Sequence, residues 1–189
     1  SMTLLPFFEW LATTQWSIAL HESFYMYPLI ESTHVLALFV FAGTIAMVDL
    51  RLLGAAFPDV PVSEMNARVL PWTIAGAVVM VVTGLLLFYA IPIRTYQSIW
   101  FRFKVVFLLV AAVNVWMFHR RVQKGRAAWD ADARPPLSAR ISASVSLSMW
   151  TGIIVFGRMI AYNWFDCDLQ PQPDFVNWAA GCVVEGAGE

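Results

Sequence analysis

Glu31 and His34 stand three positions apart in an otherwise apolar stretch, so on a helix they share one face. A carboxylate and an imidazole so placed can relay a proton, hold a carbonyl or ligate a metal. Arg158, with Tyr162 one turn later, and Lys104, two residues after Arg102, are the other ionisable or phenolic groups inside apolar stretches. Charged groups are expensive there and mark candidate sites. The five candidates are therefore His34, Glu31, Arg158, Tyr162 and Lys104, with His34 as the candidate metal ligand and Glu31–Arg158 as the expected ion pair. An ion pair that only locks the helices together is the competing expectation. A second set, Asp49, Arg51, Arg68, Asn114 and His119, falls near the opposite ends of the same stretches. There Asp49 and Arg51 are expected to snorkel to the boundary and His119 to open a basic run.

The elements that position these groups follow from composition. Of the 189 residues, 59% are hydrophobic and 13% charged, and the mean hydropathy is +0.64, well outside the usual range of a soluble domain. A spanning helix needs about 20 apolar residues. Four stretches qualify, at roughly 28–48, 71–90, 99–118 and 141–162, followed by a tail at 163–189. The expected fold is all-α: a single transmembrane four-helix bundle with an interfacial helix near the N-terminus and a short extracytoplasmic tail. Phe7, Phe8, Trp10, Leu11 and Trp16 among polar residues suggest that interfacial helix, and Pro28 its turn into the first span. Ser1 ahead of Met2 reads as a cloning remnant, and no basic n-region announces a cleavable leader.

Charge sets the expected direction. Arg120, Arg121, Lys124, Arg126, Arg134 and Arg140 follow the third span, and Arg51 and Arg68 flank the loop after the first; the first 27 residues carry no Lys or Arg. By the positive-inside rule both termini lie outside the cytoplasm. Cys167 and Cys182 in that outer tail, with Asp168, Asp174, Glu185 and Glu189, suggest a disulfide-stapled cap. Tryptophans 10, 16, 72, 100, 129, 164 and 178 read as an interfacial belt. Ser144, Ser148 and Gly152 recur every four residues, a small-residue face expected to carry Arg158 and Tyr162 into the bundle. Gly76 and Gly84 are expected to let the second span approach a neighbour.

With these directions Glu31, His34, Lys104 and Arg158 share the outer third of the membrane, as an outward-facing polar pocket. His34 and His119 differ in depth by roughly 20 Å at helical rise, so they cannot bridge one haem. Haem b then requires His34 with His21 or with a thioether such as Met159. A quinone uses the same ingredients, His and Glu moving protons while Tyr or Arg holds a carbonyl. Phosphate loops, dinucleotide fingerprints and HExxH are absent from the sequence.

Several segments resemble an uncharacterised family of bacterial four-helix inner-membrane proteins, a domain of unknown function. They are Tyr27-Pro28-Leu29-Ile30-Glu31-Ser32-Thr33-His34, Val48-Asp49-Leu50-Arg51-Leu52-Leu53-Gly54, Leu70-Pro71-Trp72, Phe101-Arg102-Phe103-Lys104 and Gly157-Arg158-Met159-Ile160-Ala161-Tyr162. A more distant similarity runs to cytochrome b-type and copper-resistance-type membrane proteins. The resemblance implies a multi-pass inner-membrane location and no particular activity. The expectation is a redox-linked subunit, not an enzyme on its own, holding haem b or quinone and serving a periplasmic partner. A small proton-coupled permease, with oligomerisation supplying a missing half, and a structural or assembly protein remain open. The lipid bilayer is the expected surrounding, and nothing points to nucleic acid.

Overall fold

The computed structural model describes residues 4–162 and 164–183, except the side chains of Val122 and Gln123. Ser1, Met2, Asn163 and the tail acids Glu185 and Glu189 lie outside the described residues. Among those described, all regular structure is helical. Two short helices, α1 (Leu5–Ala12) and α2 (Gln15–Glu22), precede the long α3 (Met26–Leu53) and α4 (Val62–Ala90). A one-turn α5 (Pro92–Tyr96) leads into α6 (Ile99–Met117). A π-helical turn (Phe118–Val122) and a 3-10 turn (Gln123–Ala128) then lead to α7 (Leu137–Met159), and α8 (Asp174–Ala180) closes the described chain.

Four helices are long and apolar enough to cross a membrane: Met26–Leu53, Val62–Ala90, Ile99–Arg121 and Leu137–Met159. By their length and apolarity they mark this as a multi-pass membrane protein. The expected spans are all present, but α3 and α4 overrun them. Pro71 was expected to open the second span and instead lies inside α4. Its missing N–H and ring are accommodated within a helix whose first turns, Val62, Met65 and Val69, are buried.

One side of the bundle is looser than the others. α3 packs along both α4 and α7, and α7 along α6, but α4 and α6 do not pack along one another. These two meet at the end that also holds α1, α5 and α8, where Phe88 packs on Phe101 with ring centroids 5.5 Å apart. Glycine allows the close α3–α4 seam. A Cβ on Gly76 would stand 3.0 Å from the Phe41 amide nitrogen and 3.2 Å from the Ala37 carbonyl oxygen, so α3 and α4 touch backbone to backbone.

The interfacial helix of the sequence is in fact two helices docked on the bundle end. Thr14 and Tyr89 share a hydrogen bond of 2.6 Å, and buried Ser17 donates to the Tyr89 carbonyl at 2.7 Å. Phe8 fits between Phe88 and Tyr96. The stapled tail is present: Cys167 and Cys182 are bonded. It lies against the start of α6, with Gln97 donating to the Gly181 carbonyl and Arg102 filling the space beside Gly181.

At the other end, where the basic residues gather, the structure differs from expectation. Arg51 does not snorkel; it is completely buried. Its Nε donates to the Val60 carbonyl and its Nη2 to the Asp132 carbonyl at 2.9 Å, so one guanidinium ties the α3–α4 loop to the segment before α7. Asp49 and Asn114 are buried too. Asn114 exchanges hydrogen bonds with Ser142, at 2.9 Å to its carbonyl and 3.0 Å from its hydroxyl, while Asp49 faces Ser146. Long helices carry these groups inward past the polar boundary, and small serines on α7 leave them room. Arg68 pairs with Glu64 on the surface, and His119 is exposed, as expected of boundary residues.

Candidate functional site

The site gathers around His34, eight residues into α3, about 12 Å from its start at helical rise. Thr83 faces it from α4, seven residues before that helix ends, and Lys104 stands five residues into α6. All three therefore sit in the half of the bundle nearer the chain termini.

His34 Nδ1 lies 2.8 Å from Thr83 Oγ1. The Thr83 hydroxyl has one hydrogen and gives it to the Val79 carbonyl at 2.6 Å. It can therefore only accept from the imidazole. That assigns the proton to Nδ1, so in the neutral ring Nε2 carries a lone pair. Nε2 has no partner among the described residues. Gly84 makes this geometry possible, since a Cβ there would come within 3.2 Å of His34 Cε1.

Lys104 reaches toward α7, where its Nζ lies 3.5 Å from the place a Cβ would occupy on Gly157. It forms no hydrogen bond or ion pair among the described residues, and its charge is felt at the His34 ring. An unpaired ammonium and an open imidazole nitrogen thus occupy one polar region. Glu31 and Tyr27 continue it one turn at a time toward the start of α3, and the charge of Arg94 reaches Tyr27. Arg94 itself pairs with Asp166 at 3.1 Å.

The expected ion pair does not form. Glu31 and Arg158 are not within salt-bridge distance, and Arg158 is exposed with its guanidinium 5.5 Å from the Tyr162 ring centroid. The reason lies in the register of α7. Its buried face runs through Ala139, Ala143, Ser146 and Ile153, and four residues on it reaches Gly157, not Arg158. The small-residue face of Ser144 and Ser148 is likewise exposed. Each serine donates to the carbonyl one turn earlier, at 3.0 and 2.8 Å, and so needs no partner helix. Only Gly152 of that face meets a neighbour, the Phe107 ring of α6. Of the five candidates, the structure therefore brings together His34 and Lys104, places Glu31 one turn above them, and turns Arg158 and Tyr162 outward. Arg102, the neighbour of Lys104, points instead to the Tyr96 ring and carbonyl.

Thr83 and Tyr27 were missed in the sequence. A hydroxyl next to Gly84 in an apolar span was the available signal for Thr83. Among the described residues no bond or ring contact links His34 to His21, and His119 donates to the Val115 carbonyl at 3.0 Å. Among the described residues no cluster of three metal-ligating side chains occurs.

Fold and site together define a four-span helical membrane protein with an open histidine and an unpaired lysine in one half of its bundle. Residues 7–163 match a family of unknown function, DUF6644, and the chain belongs to that family. Neither the comparison with curated proteins nor that with solved structures gives a match.

Proposed function

We propose that this protein is a redox-linked membrane subunit that binds a lipid-soluble quinone or quinol between His34 and Lys104. The observation that carries the reading is the anchored imidazole, with Nδ1–H held by Thr83 and Nε2 left bare. A bare Nε2 accepts the hydroxyl proton of a quinol, and an ammonium nearby stabilises the phenolate so formed or donates to a quinone carbonyl. The seam between α4 and α6, which touch through Phe88 and Phe101 near the terminal end but do not pack along their length, offers a lateral route from the bilayer. Haem fits less well, because it needs a second axial ligand opposite His34.

Orientation belongs to the same reading. Basic residues crowd the loops at one end, and the disulfide lies at the other. The positive-inside rule and the chemistry of oxidising compartments both support a reading with the termini in the periplasm of a bacterial inner membrane. The quinone site then faces a periplasmic redox partner.

Solvent extraction of the purified protein, with quinone quantified by chromatography, tests the proposal alongside oxidised and dithionite-reduced optical spectra. Wild type should carry quinone, or take it up from quinone-doped nanodiscs, and His34→Ala should not. Equal quinone in both proteins overturns the reading. A Soret band lost in His34→Ala would overturn it in favour of haem on the same nitrogen.

A further inference from the structure

A groove lies toward the opposite end of the bundle, on α6 and α7. Leu108, Ala111, Ala112, Val115, Trp116 and Trp150 line a groove of about 600 Å³ that ends at His119. Leu108, Val115 and Trp116 are exposed along it. Two of its lining residues, Ala111 and Ala112, are small, and Ala111 is buried.

The foot of the groove is built differently from its length. α6 ends in a π-helical turn, Phe118–Val122, which carries His119, Arg120 and Arg121 in succession. π-Turns widen a helix and recur at functional sites. The Arg120 guanidinium lies 4.5 Å from the centroid of the Trp116 ring, and Trp116 is itself a wall of the groove. Stacking on Trp116 holds this cation beside the groove, where a free arginine would sweep the solvent. His119 donates through Nδ1 to the Val115 carbonyl, which fixes its ring at the foot of the groove. An apolar channel ending at a fixed cation matches an amphiphile with one long chain along the groove and a negative headgroup at its end.

We propose that this groove binds an anionic phospholipid, with an acyl chain over Ala111 and Ala112 and its phosphate at Arg120 and His119. Charge complementarity selects this occupant over a second copy of the chain, whose basic turns would face each other. The site is independent of the quinone reading, since it shares no residue with it.

Native mass spectrometry of the detergent-purified protein, titrated with phosphatidylglycerol and with phosphatidylcholine of the same chains, tests it. Phosphatidylglycerol should be retained preferentially. Arg120→Gln should weaken its retention about five-fold, the effect of one cation at a membrane surface. Ala112→Phe fills the groove without touching a charge and should weaken retention of the same lipid, with the fold checked by circular dichroism. Equal retention of the two lipids, or no effect of Ala112→Phe, overturns the proposal. So does a dimer cross-linked through α6 that phosphatidylglycerol fails to dissolve.

Discussion

Replacing Arg51 by Met should uncouple the two loops at the basic end of the bundle. The side chain is completely buried and makes two short bonds, to the carbonyls of Val60 and Asp132; a third, to Asp130, is long at 3.5 Å. Hydrogen bonds from a charged donor contribute about 1.5–3 kcal/mol each. Two would give about 3–6 kcal/mol, but the freed carbonyls belong to loops that water can reach. Met also keeps much of the packing, so the lower end, about 3 kcal/mol, is expected. Arg51→Lys retains the charge but not the fork and should recover part of this. Unfolding in mixed micelles of dodecyl sulfate and a mild detergent measures the loss. Limited trypsin digestion reports where it acts, since Gly54 packs against Ala133 and Arg134. Cleavage after Arg134 should quicken well before the helices unfold. An Arg51→Met protein within about 0.5 kcal/mol of wild type, the range of an ordinary surface substitution, and no easier to cut, would refute this account of the loops.

Gly76→Val should cost about 1–3 kcal/mol, the usual penalty of overpacking, because its new carbons would meet the backbone of α3; the same micelle titration measures it. Reducing the Cys167–Cys182 bond, or replacing both cysteines by Ser, should free α8 and expose the tail to protease. The cross-link spans 15 residues, worth about 3 kcal/mol to the local structure, and the four long helices should be unaffected by circular dichroism. Arg158→Gln should leave bound quinone unchanged while Lys104→Met lowers it, because only Lys104 lies beside His34; chromatography of extracted quinone distinguishes them. Thr83→Val should lower quinone affinity about ten-fold, the scale on which losing a partner that orients a ligating histidine is felt, without unfolding the bundle.

The four spans were legible because length and apolarity alone decide them, whatever the neighbours. Their ends were not. α4 begins nine residues before Pro71, since a proline in the early part of a long packed helix does not have to end it. The site was half legible. His34 and Lys104 announced themselves as ionisable groups in apolar helices, but pairing Arg158 with Glu31 required the azimuth of α7. Ser144 and Ser148 gave the wrong face, because serine hydroxyls bonded to their own helix can face outward at little cost. Arg51 and Asp49 near a helix end looked solvated, and only the fold of the loops over them shows they are buried.

The account rests on the protonation of one ring, and nitrogen-15 NMR of histidine-labelled protein in lipid bilayers reads it directly. The chain has three histidines, so His21→Gln and His119→Gln together leave His34 alone. The neutral ring should show a protonated Nδ1 and a bare Nε2, and added quinol should shift Nε2 while leaving Nδ1 bonded to Thr83. A proton on Nε2 in the free protein, or a spectrum that quinol leaves unchanged, would contradict the account.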